Sequence, residues 1–254
     1  MTMKNLSGKS ALITGGGQGV GQGIALALAN AGANVVVTGR TLAKCEKTAK
    51  LIEERGSMAL AIQCDVKSES ELQNSLDKTI EAFGRLDILV NNAQEVARGP
   101  LLSIEDAAFI GNFESGPLAS FRLMKMAYPY LKETKGHVVN LCSSAMKRWD
   151  VGTYGVYAAV KAATQQITRA AANEWGPDGI RVNAIMPHAK SPALKWWIEN
   201  NPEEAAHFQA SIPMRRVGEC EEDIGAFVAL MCSDGARYLS GQTIGLDGGQ
   251  AFIG

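Results

Sequence analysis

The sequence lacks most of the features that mark specialised chains. No cysteine pair has CxxC spacing: Cys45, Cys64, Cys142, Cys220 and Cys232 are scattered and odd in number. That argues against a disulfide framework or a zinc site, and no metal is expected. There is no excess of one charge, with 25 Lys+Arg against 26 Asp+Glu. No Lys/Arg block draws the chain to nucleic acid or to a membrane surface. No apolar run is long enough to cross a bilayer. The opening MTMKNLSGKS lacks the apolar stretch of a secretory signal, and the expected compartment is the cytoplasm. No Pro/Ser-rich linker, internal repeat or low-complexity tract divides the 254 residues. Residues 1–254 therefore read as a single domain.

What is present is an alternation. Short apolar runs at Ser10–Thr14, Asn34–Thr38, Ala59–Cys64, Leu86–Val90, His137–Cys142 and Arg181–Ile185 read as buried strands, with a last one near Gln242–Leu246. Between them Val20, Ile24, Leu28 and Ala31, then Leu72, Leu76, Ile80 and Phe83, repeat at helical spacing. This predicts a doubly wound, Rossmann-type α/β fold: a parallel sheet of about seven strands with helices on both faces. Residues 188–212 fall between the last two strands and carry Trp196 and Trp197 among charges. They read either as a flap over a site or as a surface helix anchored by its tryptophans.

TGGGQGVG (Thr14–Gly21) stands at the first strand-to-helix junction, although the literal GxGxxG is absent. Glycines there let a pyrophosphate approach the backbone at the positive end of a helix. The expected contacts are Gly15, Gly17, Gln18, Gly19, Val20 and Gly21. The acidic residue that would bind adenosine ribose hydroxyls after the second strand is also missing; the chain reads Thr38-Gly39-Arg40-Thr41. Arg40, with Thr41 beside it, suits a ribose phosphate, which favours NADP(H) over NAD(H), with NAD(H) still possible. Tyr157 and Lys161 stand four apart in a helical segment and so share a face. A free tyrosine has a pKa near ~10, and a neighbouring ammonium would favour the phenolate. Tyr157 then suits general acid/base work, with the Ser144 hydroxyl at the sheet edge holding the reacting oxygen.

Together these segments resemble the short-chain dehydrogenase/reductase family. The resemblance runs through TGGGQGVG, CDV (Cys64–Val66), NNA (Asn91–Ala93), the Ser144, Tyr157, Lys161 set, RVNAIMP (Arg181–Pro187) and LDGG (Leu246–Gly249). The thirteen-residue step from Ser144 to Tyr157 matches the family's spacing and favours Ser144 over Ser143. The resemblance implies that Asn112 holds a water relaying protons from Lys161. It also implies that Asp65 and Val66 contact adenine, and Asn91 and Ala93 the adenosine ribose side. Ile185, Pro187 and His188 would border the nicotinamide, and Tyr157 and Lys161 its ribose. Two positions depart from the family: Gln94 and His188 stand where glycine is usual. A positive φ at Gln94 would carry strain.

The expected activity is hydride transfer between a nicotinamide and an alcohol/ketone pair of a small-molecule substrate. A catalytically silent NADP-binding sensor is the alternative. Gln94, Trp149, Tyr154, Trp196 and Trp197 are expected to wall the substrate pocket. Hydroxysteroid, 3-oxoacyl and small cyclic ketone substrates all remain open. The resemblance further implies a homotetramer, with contacts along the helix after Tyr157 and the C-terminal GQTIGLDGGQAFIG.

Overall fold

Strands covered on both faces must be apolar on both, and these are. Ala11, Leu12 and Ile13 are buried without a break, as are Val35–Val37 and Ile88–Val90. In the computed structural model, which describes residues 5–148 and 152–251, seven strands form one parallel sheet in the order β3-β2-β1-β4-β5-β6-β7. They are β1 (Ser10–Thr14), β2 (Asn34–Gly39), β3 (Ala59–Gln63), β4 (Ile88–Asn91), β5 (His137–Leu141), β6 (Arg181–Pro187) and β7 (Thr243–Leu246). The fourth strand starts later than its apolar run. The Asp87 carboxylate accepts from Ser10 N at 2.9 Å and pairs with Arg85 at 2.7 Å, so Asp87 closes the strand entry.

Residue parity divides the core. Ile13, Val35, Val37, Ile88 and Val90 face α1 (Gly19–Asn30), α2 (Leu42–Glu53) and α9 (Ala226–Met231). Leu12, Val36 and Leu89 face α3 (Glu69–Phe83), α5 (Ala119–Thr134) and α6 (Gly155–Trp175). Between α3 and α5 lie α4 (Asp106–Phe113) and a π turn, Glu114–Leu118. The chain order reverses between β1 and β4, which opens a crevice at their carboxyl ends. A buried polar line crosses the second face: Asn91 Nδ2 donates to Asn140 Oδ1 at 2.8 Å, and Asn140 Nδ2 to Thr168 Oγ1 at 2.9 Å. It fixes the long α6 against β4 and β5.

The segment expected as a flap folds into α7 (Pro192–Asn200) and α8 (Pro202–Ser211), rooted by buried Ala205 and Ile212. No described helix is long and apolar enough to cross a membrane.

Candidate active site

The turn after β1 is built around the absence of side chains. Gly15 and Gly19 have φ of 65° and 59°. A Cβ on Gly15 would stand 2.8 Å from Asn92 Nδ2. That amide ties the turn down, donating to the Thr14 carbonyl at 2.8 Å and the Gly15 carbonyl at 3.0 Å. The backbone N–H groups of Asn92 and Ala93 donate to Thr14 Oγ1 at 3.0 and 3.1 Å. Helix α1 begins here with no side-chain cap and no acidic residue in its first turn. Free N–H groups and the positive helix end thus meet a glycine cradle, a fit for a dinucleotide pyrophosphate. The root of α7 leans on the same turn: a Cβ on Gly19 would lie 3.3 Å from Pro192 Cδ.

Beyond the turn, Arg40 Nη1 pairs with Glu95 Oε1 at 2.8 Å, and Lys67 Nζ reaches the same oxygen at 3.0 Å. Arg40, expected to be open to a phosphate, therefore already holds a carboxylate. The hydrogen bond to Glu95 holds the Lys67 ammonium above the usual lysine range. Asp65 Oδ1 accepts from Lys67 N at 3.0 Å, and Val66 is buried beside it. Gln18 Oε1 accepts from Lys44 Nζ at 2.7 Å. Thr41 precedes α2 without capping it by its side chain.

At the end of β5 the hydroxyl that meets Tyr157 is that of Ser143, which also accepts from Ala145 N at 3.2 Å. Ser144, expected to hold the reacting oxygen, is the next residue. The chain turns into a 3-10 turn at Ser144–Met146, leaving Ser144 buried and its carbonyl accepting from Lys147 N at 2.9 Å. Lys161 is buried on α6, donates to the Leu141 carbonyl at 2.6 Å and stands 5.5 Å from the centre of the Tyr157 ring. Burial pushes this ammonium down to about 8. Among the protein's own groups the expected lowering of Tyr157 does not prevail: burial pushes the phenol up to about 12, against the Ser143 hydrogen bond. Burial thus favours the neutral phenol and lowers the lysine toward about 8.

Asn112 lies near the end of α4, where the π turn begins. Its Oδ1 accepts from Ala97 N at 3.1 Å, and its Nδ2 donates to the Ala108 carbonyl at 2.9 Å. Its own carbonyl accepts from Gln94 Nε2 at 2.9 Å. Asn112, expected to hold a relay water, thus also anchors the loop through its side chain. Gln94 avoids positive φ, so the feared strain is absent. Room for it comes from Gly116, where a Cβ would collide with the amide oxygen.

Comparison with known proteins identifies the family. The family model described as enoyl-(acyl carrier protein) reductase matches residues 15–251. A 12alpha-hydroxysteroid dehydrogenase of Clostridium sp. is 40% identical over 251 residues, covering 95% of this chain and 96% of that one. The chain is a short-chain dehydrogenase/reductase. A solved 7 alpha-hydroxysteroid dehydrogenase, complexed with NADH and 7-oxo glycochenodeoxycholic acid, superposes at a TM-score of 0.91 with 34% identity, covering 98% and 96%. The Pseudomonas aeruginosa RhlG/NADP complex gives a TM-score of 0.91 with 31% identity, covering 98% and 99%. The family uses NAD(P)(H), and these neighbours carry either form.

In this dehydrogenase/reductase two groups of aromatic contacts form beyond the ends of β5 and β6. The Tyr154 ring meets Tyr157 edge-on at 5.9 Å and carries the Arg98 guanidinium at 4.7 Å. His188, following Pro187 of β6, packs edge-on against Phe208 at 5.5 Å, and Phe208 against Trp197 at 5.8 Å. This aromatic line pins the flap. Burial holds His188 below the usual histidine range. Trp196, expected in the pocket wall, is 64% exposed. Trp149 lies outside the described residues. The side chain of Asn91, a residue expected on the adenosine ribose side, joins the buried line with Asn140, and its neighbour Asn92 holds the turn. Sequence reasoning missed Ser143, Asn92, Lys67 and Glu95.

Proposed function

We propose that this chain moves hydride between NADP(H) or NAD(H) and an alcohol/ketone pair, with Tyr157 as the acid/base. The observation that carries the reading is the cluster of Ser143, Tyr157 and Lys161 at the carboxyl end of β5. The nicotinamide, when bound, supplies or takes up the hydride; the remaining work falls to the chain. The hydroxyls of Ser143 and Tyr157 hold the reacting oxygen, and the neutral phenol gives it a proton in the reductive direction. The Lys161 ammonium stabilises the phenolate left behind and, titrating near about 8, returns a proton to it. Asn112 lies on the route we assign to that exchange, with Gln94 bonded to its carbonyl. This last contact is what favours the second reading, a silent cofactor-binding protein.

At the adenosine end Arg40 and Lys67 are cations of the kind that suit a 2′-phosphate, but both are paired with Glu95, so the reading keeps both NADP(H) and NAD(H). The hydroxysteroid relatives support a bulky cyclic ketone as substrate, with Tyr154, His188 and Trp197 around it. Exposed Phe109, Ile110 and Phe113 on α4 and Phe121 on α5 support self-association as a homotetramer through these helices. The decisive experiment is Tyr157→Phe: turnover with a panel of cyclic ketones should vanish while cofactor affinity stays. Near-normal rates would remove Tyr157 as the acid/base.

A further inference from the structure

We propose that Glu95 sets the cofactor preference: its carboxylate takes the place of an adenosine 2′-phosphate and offers an acceptor to a ribose 2′-hydroxyl. The inference rests on the cofactor reading above and deepens it. Sheet order carries the argument. β4 lies on one side of β1, while β2 and β3 lie on the other. Glu95 follows β4, Arg40 follows β2 and Lys67 follows β3. Ion pairs from Glu95 to both cations therefore cross the carboxyl end of β1, over the mouth of the glycine turn. That crevice is where a dinucleotide lies in an open parallel sheet.

Glu95 is also aimed. Its N–H donates to Ser115 Oγ at 3.1 Å, and its carbonyl accepts from Gln94 Nε2 at 2.8 Å. These bonds fix the backbone against the π turn, and the carboxylate spans the cleft. Both cations converge on one oxygen, Oε1, at 2.8 and 3.0 Å. A carboxylate and a phosphate make the same charge-assisted bonds to a guanidinium and an ammonium, so one excludes the other. A ribose hydroxyl, by contrast, can donate to the carboxylate. The acidic residue absent after β2 is thus supplied from β4.

The test titrates tryptophan fluorescence of wild type and Glu95→Gln with NADPH and NADH, and repeats it with Glu95→Ala. Two partly exposed ion pairs released together should shift the NADPH-to-NADH affinity ratio about tenfold toward NADPH. Adding Arg40→Ala to Glu95→Gln should cancel the shift, because the gain needs the freed guanidinium. An unchanged ratio in both variants overturns the inference. Equal tightening for both cofactors overturns it too, since that marks general charge repulsion. If neither cofactor binds any of the proteins, the cofactor reading itself falls and takes this inference with it.

Discussion

Lys161 donates to the Leu141 carbonyl at 2.6 Å while its charge stands 5.5 Å from the centre of the Tyr157 ring. One bond thus ties the cation to the last residue of β5 and holds it beside the phenol. The lysine is placed by the strand, the tyrosine by the helix, and the polar line through Asn91, Asn140 and Thr168 keeps the two in step.

The serine assignment separates two neighbouring variants. Ser143→Ala removes the hydroxyl that meets Tyr157 and should cost about 100-fold or more in kcat/KM. Ser144→Ala should leave kcat/KM within severalfold and act mainly on stability, by about 1 kcal/mol. Steady-state kinetics with one ketone ranks the two, and the reverse order would restore Ser144.

The pH profile of reduction should follow Lys161. With its pKa at about 8, the ammonium is full below neutrality and lost above that value, while Tyr157, at about 12, stays protonated throughout. The rate should therefore be level on the acid side and fall above pH ~8. A rate that rises through that region in the reductive direction would contradict the assignment.

Lys161→Met should stabilise the fold while abolishing turnover. The lysine is lowered from 10.5 to about 8 by burial. At neutral pH the folded chain carries the full penalty of a buried charge, of order 3 kcal/mol. For the native lysine the penalty is relieved as pH rises from about 8 toward the unfolded value of 10.5, because the folded state releases its proton first. Methionine removes the penalty but frees the Leu141 carbonyl, at about 1–2 kcal/mol. A melting temperature higher by a few degrees at pH 7 is expected, and the gain should shrink by pH 10. A lower melting temperature would show that the hydrogen bond outweighs the charge.

Gly116 and Gln94 should behave as a pair. Gly116→Ala drives a methyl into the Gln94 amide and should destabilise by about 1–3 kcal/mol. In a Gln94→Gly background the same change should be nearly neutral. Gln94→Gly alone also frees the Asn112 carbonyl; faster turnover would identify Gln94 as a brake, and unchanged kinetics as tolerated drift. Thermal melts of the four proteins complete the cycle.

The sheet and its glycine turn were legible because strands buried on both faces leave unbroken apolar runs and the turn requires glycine at Gly15 and Gly19, where φ is positive. Tyr157 and Lys161 were legible because a helix fixes their spacing. Which of Ser143 and Ser144 holds the reacting oxygen is not fixed by counting back from Tyr157, because it depends on where the chain leaves β5 and coils into its 3-10 turn. The direction of the Asn91 side chain is legible in strand parity. Asn91 shares parity with Leu89, which faces the α3, α5 and α6 side, so its side chain was bound to enter that layer. Glu95 carried no such signal, because its partners come from two strands remote in sequence.

The contact between Gly19 and Pro192 gives the two halves of the reaction a shared threshold. Whatever settles against the first residues of α1 also lies beside Pro192 at the start of α7, so the nucleotide becomes part of the floor on which the alcohol or ketone is received. Binding should follow a compulsory sequence, nucleotide entering first and leaving last. Product inhibition patterns would display that order, and bulk added at Pro192 would register as weakened nucleotide affinity although the residue belongs to the other ligand's side.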